Sequence, residues 1–208
     1  MIVVVQEHNA YEHAHLLDQM FRLRAKVFAE RLKWDVSVVD GWERDRFDRL
    51  APVYLIHTDE DGRQVRGSLR LLPTTGPTLL ADFFSDTLPD AALLSAPSIW
   101  ECTRFCIDED ILRHREQVVA SRALISGLGS IALAAGIESI LGNFDARMLR
   151  LYRRIGCEVD VLGMTDRYGE PIYLGLFPVS QAILSEVNAR LPVAPAIKDL
   201  PHNRPIAA

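Results

Sequence analysis

Cysteine and long apolar stretches are scarce in this sequence. The 208 residues include three cysteines, an odd number that does not make a disulfide framework in a chain of this length. No apolar run approaches the roughly 18–20 residues that span a bilayer, so no membrane span is predicted. The first residues, MIVVVQEHNAYEH, lack the basic segment and the cleavage site of a signal peptide. The sequence therefore favours the cytoplasm as the location.

Basic charge and the common catalytic motifs are also lacking. With 23 basic and 28 acidic residues the net charge is −5, which predicts no general binding to nucleic acid. The sequence contains no nucleophile elbow, no Walker loop and no zincin helix. The GxG within 126–130 lies in a helical stretch, and Cys102 and Cys106 would be about 13 Å apart on a strand, too far to share a metal. We therefore expect no metal site.

The sequence does contain enough apolar residues, 49% of the chain, to bury one sizeable core. Periodicity predicts strands at 2–5, 52–58, 64–72, 98–108, 137–144, 157–163 and 171–177, and helices at 11–30, 78–86, 112–135, 145–155 and 180–191. This irregular alternation predicts an α/β domain over residues 1–190, with a mixed twisted sheet and helices on both faces. Residues 191–208 contain four prolines and are predicted to form a loosely attached tail.

The first predicted helix carries a charge in the middle of its apolar stripe. At 100° per residue that stripe consists of Leu17, Met20, Phe21, Val27 and Phe28. Arg24 falls among them. A guanidinium on a buried face needs a partner, so Arg24 either extends to the rim, pairs with a structural carboxylate or binds a ligand.

The predicted strand 98–108 carries two more charges in an apolar setting. Alternation places Glu101 on one face and Arg104 on the other, and apolar side chains surround both. Charges inside a strand mark either an ion pair with a neighbouring strand, for example Glu101 with Arg70, or a functional site.

The connection between residues 33 and 48 mixes two tryptophans with four aspartates. Loops of this length inside compact domains are often functional. Aromatic faces beside carboxylates suit a cationic ligand, through cation–π attraction and charge pairing. The alternative is a solvated loop with one or two anchoring aromatic residues.

The predicted helix 145–155 is apolar on one side and basic on the other. The basic side consists of Arg147, Arg150, Arg153 and Arg154, which we call the arginine face. A basic face on an acidic protein predicts docking of an anionic partner, although an ordinary solvated face has the same pattern.

Taken together, these residues resemble the signature of the acyl-homoserine lactone synthases, the autoinducer synthases of bacterial quorum sensing. The matching positions are charged or aromatic and comprise Arg24, Phe28, Trp34, Asp45, Asp48, Arg70, Glu101 and Arg104. The resemblance covers roughly residues 1–180. It implies an N-acetyltransferase-like three-layer sandwich, with a V-shaped opening between central strands.

The resemblance implies a two-substrate reaction without a cofactor. The α-amine of S-adenosylmethionine attacks an acyl thioester, usually on acyl carrier protein and in some members on coenzyme A. The methionyl carboxylate then displaces methylthioadenosine and closes the lactone. Arg24 or Arg104 would bind that carboxylate, and Phe28, Trp34 and Asp45 would face the sulfonium.

Further site roles follow from the same resemblance. Glu101 is the predicted base, acting through a water, and Asp45 is the second choice. Asp48 and Arg70 are predicted to support the site, and Phe105 to contact S-adenosylmethionine. Backbone N–H groups of the opened strand would stabilise the oxyanion. The arginine face would dock the acidic carrier protein.

The acyl pocket is predicted to include Gly142, Phe144 and Met148. Gly142 stands at the position where makers of 3-oxo signals often carry a threonine. Glycine has no hydroxyl group, so an unsubstituted, branched or aryl acyl chain is predicted over a 3-oxo chain. The alternative is that Ser121 or Ser126 supplies the missing hydroxyl group.

Two other functions remain open on the sequence. One is an acyl-CoA-dependent N-acyltransferase acting on another amine, and the other is a small-molecule binding module. The turn at 107–111 carries three carboxylates and no glycine, which disfavours a coenzyme A pyrophosphate cradle there. Release of methylthioadenosine distinguishes a lactone synthase from both.

Overall fold

The computed structural model describes residues 1–88, 94–167 and 169–199, which form a mixed α/β fold. The strands are β1 (Ile2–Val5), β2 (Val38–Val39), β3 (Trp42–Glu43), β4 (Val53–Thr58), β5 (Val65–Pro73), β6 (Ile99–Ile107), β7 (Ser139–Asp145), β8 (Asp160–Thr165), β9 (Ile172–Pro178) and β10 (Ile197–Lys198). The α-helices are α1 (Ala14–Arg24), α2 (Leu79–Phe83), α3 (His114–Ala134), α4 (Ala146–Ile155) and α5 (Gln181–Ala189). Every predicted strand is present with its ends shifted by a few residues, whereas the helices predicted over 11–30 and 78–86 are α-helical only over Ala14–Arg24 and Leu79–Phe83.

Eight strands pair in the order β10-β1-β4-β5-β6-β7-β9-β8, and β2 pairs with β3 in a separate ribbon. Strand β1 is parallel to β10 and antiparallel to β4, and β6 is parallel to β7. Strand β9 is antiparallel to both β7 and β8, with a bulge between Val161 and Gly163. The sheet is therefore mixed, as the irregular element order predicts.

The chain divides into two compact units. The first compact unit contains residues 1–70 and 104–128 and the described part of 193–200. Its strand β1 has helices on both faces. Val3 and Val5 share a buried cluster with α1 residues such as Met20, whereas the side chain of Ile2 lies against Gly127 of α3.

The second compact unit contains residues 71–103 and the described part of 129–192. Here Leu80 of α2 packs on Leu141 and Leu174, which face one side of the β7–β9 pair. On the other side of that pair, Phe144 contacts Tyr152 of α4 edge to face, with ring centroids 5.2 Å apart. Both units thus carry helices on both faces of their strands.

The first helix changes its winding at the buried charge. The α-helix ends at Arg24, and residues Ala25–Arg31 continue as a π-helix. The apolar stripe is nevertheless largely buried, since Met20, Phe21, Val27 and Phe28 are each at most 5% exposed. The continuous α-helix predicted over 11–30 is therefore wrong in its second half.

The segment after residue 190 is attached more firmly than predicted. Ile197 and Lys198 form β10 beside β1, and Ile2 donates a backbone hydrogen bond of 2.8 Å to Ala196. His13 lies 2.9 Å from the Asp199 carboxylate. The expectation of a loose tail is wrong for these residues, because they complete the edge of the sheet. Residues 200–208 of the predicted tail lie outside the described residues.

Helix α3 is long and apolar enough to cross a membrane by length and composition alone, and half of it is buried inside the protein. Leu124 and Ile131 of this helix are fully buried, so the helix has the packing of a core helix. The sequence analysis expected no apolar stretch of this length and therefore overlooked this helix.

Candidate active site

Arg24 finds its partners among carboxylates of the first compact unit. Its guanidinium is 1% exposed and bonds Asp48 in a bidentate manner at 2.8 and 3.0 Å, while its Nε bonds Glu43. Burial alone would lower the pKa of Arg24, but the hydrogen bonds and charges of Asp48 and Glu43 outweigh it and raise the pKa. Arg24 therefore stays charged. Of the alternatives that the sequence left open, the structure shows pairing with structural carboxylates.

Asp48 is the centre of this network. It accepts hydrogen bonds from Arg24, from Arg70 at 2.8 Å, from the Tyr54 hydroxyl at 2.7 Å and from the backbone N–H of Asp45 at 2.8 Å. Burial by itself would raise the pKa of Asp48, but the adjacent guanidinium groups hold that pKa well below its usual range. The carboxylate therefore remains ionised at neutral pH.

Arg70 and Arg104 extend the network to Asp45. Arg70 is fully buried and bonds Asp45 at 2.6 and 3.0 Å, while Arg104 bonds Glu43 at 2.9 Å and Asp45 at 2.9 Å. Asp45 also begins the 3-10 turn Arg46–Arg49 by accepting the Phe47 N–H. The network, which we call the charge cluster, contains Arg24, Glu43, Asp45, Asp48, Arg70 and Arg104. Its three positive and three negative side chains balance.

Arg104 has an unusual backbone conformation inside β6. Its φ of 53° lies in the left-handed region, which costs a non-glycine residue of order 1–3 kcal/mol. The guanidinium lies 5.3 Å from the Phe28 ring centroid and bonds two carboxylates. These contacts hold Arg104 in the strained conformation. Strained backbone that is held by several contacts is typical of functional sites.

An open aromatic surface lies next to the charge cluster. Phe28 and Trp34 stack with ring centroids 5.1 Å apart, and the backbone N–H of Trp34 donates a hydrogen bond of 2.8 Å to the backbone carbonyl of Phe28. Phe28 is buried, whereas Trp34 is 48% exposed. A cation that docks here would meet the exposed face of the Trp34 indole. Phe105 is half-buried.

Glu43 is a site residue that sequence reasoning missed. It is fully buried and bridges Arg24 and Arg104. Its signal was its position, since Glu43 is an acidic residue in the same connection as Asp45 and Asp48. Buried charges need partners, but several acidic residues of this connection could have supplied one, so charge alone did not single out Glu43.

Glu101 lies in the second compact unit and is fully buried. Its two carboxylate oxygens accept hydrogen bonds from the backbone N–H groups of Leu79 and Leu80, at 2.7 and 2.8 Å. Thr78 caps the same helix, α2, by accepting the Ala81 N–H. Two donors on one carboxylate match its ionised form, which only accepts. Glu101 therefore anchors the start of α2, whatever further role it has.

Strands β6 and β7 pair over a short distance. The register runs from Ile99↔Ser139 to Glu101↔Leu141 and stops there, although β7 keeps its pairing with β9 up to Asp145. Among the residues that the structure describes, β7 is thus unpaired towards β6 beyond Leu141. The family resemblance implies an opening between central strands beyond this point.

The predicted acyl-pocket residues lie beside this opening. A Cβ on Gly142 would meet the Cys102 carbonyl oxygen at 3.5 Å, so a small side chain would fit without displacing backbone. Phe144 belongs to an aromatic group that also contains Tyr152, Tyr173 and Phe177. Met148 is half-buried on α4. These positions are on one face of β7 and on the helix that follows it.

The arginine face is exposed, as its helical spacing predicts. Arg147, Arg150, Arg153 and Arg154 are all exposed on α4, which Asp145 caps through the Met148 N–H. Gly156 ends the helix with a φ of 87°, the left-handed conformation that glycine adopts without strain. The described residues contain no group of three or more His, Cys, Asp or Glu side chains that could hold a metal ion.

Comparison with known proteins agrees with this geometry. A family model described as autoinducer synthase matches residues 7–187. An acyl-homoserine-lactone synthase of Rhizobium etli is 42% identical over 175 residues, which are 84% of this chain and 82% of the relative. Another, from Agrobacterium fabrum, is 35% identical over 190 residues, 89% of this chain and 90% of the relative.

Solved structures give the same result. The CoA-dependent acyl-homoserine lactone synthase BjaI, with SAM and isopentyl-CoA, superimposes with a TM-score of 0.84 at 26% identity and covers 97% of this chain and 94% of its own. The AHL synthase LasI superimposes with a TM-score of 0.78 at 26% identity and covers 94% of this chain and 98% of its own. An acyl-CoA N-acyltransferase of Pseudomonas aeruginosa shares the fold. Its TM-score is 0.52 at 15% identity, and the match covers 85% of this chain and 99% of its own.

The fold is of the N-acetyltransferase-like α/β class, and the relatives show the chain to be an acyltransferase enzyme. The chain belongs to the autoinducer synthase family and is an acyl-homoserine-lactone synthase, whose product serves quorum sensing. The fold class and the family implied by the sequence resemblance are confirmed. The alternatives of another amine acceptor or a non-catalytic binding module are disfavoured.

Proposed function

We propose that the enzyme transfers an acyl group from acyl carrier protein to the α-amine of S-adenosylmethionine, closes the lactone and releases methylthioadenosine. The observation that carries the choice of donor is the exposed arginine face on α4. Four exposed arginines on one helix side attract a strongly acidic protein and fix its orientation.

S-adenosylmethionine is assigned to the charge cluster and to Trp34. Arg24 and Arg70 are almost fully buried and fully engaged with carboxylates, which suits positioning. The side chains of Arg104 and Asp45 are 9% and 19% exposed and are the members that a ligand can reach. Arg104 therefore binds the methionyl carboxylate, and Asp45 with Trp34 faces the sulfonium.

The chemical step needs a proton acceptor and a stabilised oxyanion. Glu101 takes the proton of the attacking amine through a water, and Asp45 is the alternative acceptor. The backbone N–H groups that β7 leaves unpaired towards β6 are the donors for the thioester oxyanion. The reaction uses no cofactor, since S-adenosylmethionine is consumed as a substrate.

The turn after β6 supports carrier protein over coenzyme A. Asp108 and Asp110 are paired with Lys26, and Glu109 is paired with Arg31 at 2.9 Å. This turn is acidic and its cations are engaged, so it offers little to a pyrophosphate. Coenzyme A remains the second candidate donor, because the structurally similar BjaI is CoA-dependent.

The cytoplasm is the proposed location. Its support is chemical, since Cys102, Cys106 and Cys157 are all free thiols, as is usual in a reducing compartment.

The test of the function is methylthioadenosine release from S-adenosylmethionine with matched acyl-carrier-protein and acyl-CoA donors. We expect release with both substrates present and a higher kcat/KM for the carrier-protein donor. No release with either donor would overturn the lactone synthase reaction. Equal or better use of acyl-CoA would overturn the choice of donor and leave the reaction intact.

Reversal of the arginine face tests the docking surface. Arg150→Glu combined with Arg154→Glu should raise the donor KM about tenfold or more and leave the KM for S-adenosylmethionine unchanged. Wild-type donor KM should also rise with salt. The control is Arg63→Glu with Lys198→Glu, two exposed positions in the first compact unit. If the control variant raised the donor KM as much as the arginine-face variant does, the effect would come from the net charge of the protein and not from a docking surface.

A further inference from the structure

The acidic turn after β6 is tied to both ends of the π-helix. Lys26, near the start of the π-helix, places its Nζ 2.8 Å from the Asp108 carboxylate and 2.7 Å from the Asp110 carboxylate. Arg31, the last π-helical residue, lies 2.9 Å from the Glu109 carboxylate. All five residues belong to the first compact unit, and we call their ion pairs the clamp.

The π winding brings the two cations of the clamp to one turn. Lys26 and Arg31 are five residues apart. A π-helix repeats its hydrogen bonds every five residues, as in the bond of 2.9 Å from the Leu32 N–H to the Val27 carbonyl, and so places residues five apart on one face. In an α-helix the same two residues would lie about 140° apart around the axis. The clamp therefore favours the π winding over the α winding.

The acidic turn is itself bonded to the sheet. The Asp108 N–H donates a hydrogen bond of 2.9 Å to the Arg66 carbonyl of β5, and the Asp108 carboxylate accepts the Asp110 N–H at 3.1 Å. The Asp108 side chain is 15% exposed, so solvent and salt screen its pair with Lys26 less than an open surface pair. The position of the turn therefore constrains the position of the π-helix.

The winding of the π-helix decides where the aromatic surface lies. Phe28 stands between the two cations of the clamp, and its backbone carbonyl accepts the hydrogen bond of 2.8 Å from Trp34. On β6, four residues before Asp108, the Arg104 guanidinium lies 5.3 Å from the Phe28 ring centroid. A change to α winding would rotate Phe28 away from Arg104 and would move Trp34 with it.

We propose that the clamp selects the π winding and thereby places Phe28 and Trp34 for S-adenosylmethionine. Lys26 and Arg31 act as positioning residues. The inference rests on the proposed function, in which this substrate docks at Trp34 beside Arg104. Loss of the clamp lowers the fraction of the protein with the binding-competent winding, and the apparent affinity for S-adenosylmethionine falls with that fraction. Once the substrate is bound, the chemical step is unchanged.

The first test is Lys26→Met, which removes the charge and keeps most of the apolar stem of the side chain. We expect the KM for S-adenosylmethionine to rise about fivefold, with kcat and the donor KM within about twofold of the wild type. Calorimetric titration with S-adenosylmethionine alone should show the same loss of affinity. A long-range effect of charge would instead lower this KM, since the variant removes a positive charge and the substrate is a cation.

The second test exchanges the charges of one ion pair. Arg31→Glu brings two like charges together and should raise the KM for S-adenosylmethionine about fivefold. Glu109→Arg added to Arg31→Glu restores opposite charges and should return that KM to within about twofold of the wild type. The two side chains are 39% and 50% exposed, so the exchange buries no new charge. These variants test the clamp independently if Lys26→Met does not fold.

The matched control is Lys198→Met, which removes the same charge from an exposed position of β10 and should leave the KM for S-adenosylmethionine unchanged. Three outcomes overturn the proposal. They are an unchanged or lowered KM in Lys26→Met, a raised KM that the charge exchange does not restore, and an equal rise in the control. With methylthioadenosine release intact in the wild type, each of them overturns the clamp alone. No release by the wild type with either donor overturns the clamp together with the proposed function.

Discussion

At the scale of single residues, exposure divides the charged side chains into two groups. Arg24, Arg70 and Asp48 are buried and bonded to each other, and removal of one partner would leave an uncompensated buried charge. Arg104 and Asp45 are part of the same network but keep some exposure. The buried group therefore holds the reachable group in place.

Glu101→Gln tests the assigned base. Glutamine keeps the shape of the side chain, loses the basicity and keeps only one of the two acceptor oxygens that hold α2, so we expect the acylation rate to fall about 10²–10⁴-fold. The remaining acylation rate should also no longer depend on the ionisation of residue 101, so its pH profile should flatten where the base titrates in the wild type. Single-turnover kinetics with a saturating acyl donor measures both.

The matched control for this variant acts on the same helix. Thr78→Ala removes the cap of α2 without touching the carboxylate and should cost about 1 kcal/mol of stability with acylation retained. Near-wild-type turnover in a folded Glu101→Gln protein would contradict the base role. A rate loss of similar size in Thr78→Ala would mean that Glu101 acts only by anchoring α2.

At the scale of elements, β4 carries a buried histidine that ties stability to pH. Burial lowers the pKa of His57 to about 4, with further lowering by the N-terminal amine and Arg66. In the unfolded chain a histidine titrates near pH 6.5. The folded protein therefore binds fewer protons than the unfolded chain between these values, and its stability falls as the pH falls from about 6.5 towards 4.

Removal of this histidine should flatten the pH dependence. Over the full interval the loss attributable to His57 is on the order of 3 kcal/mol, at 1.36 kcal/mol per pKa unit. Urea unfolding of the wild type and His57→Leu at pH 7 and pH 4.5 measures it. The exposed His8→Leu is the control and should keep the wild-type slope. An unchanged slope in His57→Leu would contradict the assignment.

At the scale of the whole molecule, β10 protects a sheet edge. All four residues of β1 are buried, and β10 occupies the edge of β1 opposite β4. Exposed edges of apolar strands pair with other chains and promote aggregation. We therefore expect the segment after residue 190, which lies beyond the matched family region, to limit pairing of β1 with other chains.

Truncation tests this contribution. A chain that ends at residue 192 loses β10 and the contact between His13 and Asp199, so its Tm should fall by several degrees and it should aggregate on concentration. A chain that ends at residue 199 keeps both features and should behave like the full chain. Thermal unfolding and light scattering measure the difference. Equal behaviour of the two truncated chains would show that β10 is dispensable.

The sequence by itself determined the features that depend on local patterns. Hydrophobic periodicity predicted the long strands and helices, Asp145 and Gly156 mark the ends of α4, and an arginine on an apolar stripe needed a partner, with a carboxylate as one of the candidates. Residue spacing also pointed to the family, which the comparisons confirm. These signals are local because capping, alternation and helical phase involve residues close together in the chain.

Only the tertiary structure decided the features that depend on distant partners. It identified Glu43 as the bridge between Arg24 and Arg104, placed Arg104 in the left-handed region, and gave Glu101 the N–H groups of α2. It also brought both ends of the π-helix to one acidic turn. Each is decided by which residues the folded sheet and its helices bring together, because the satisfaction of a buried polar group is a property of its neighbours in space.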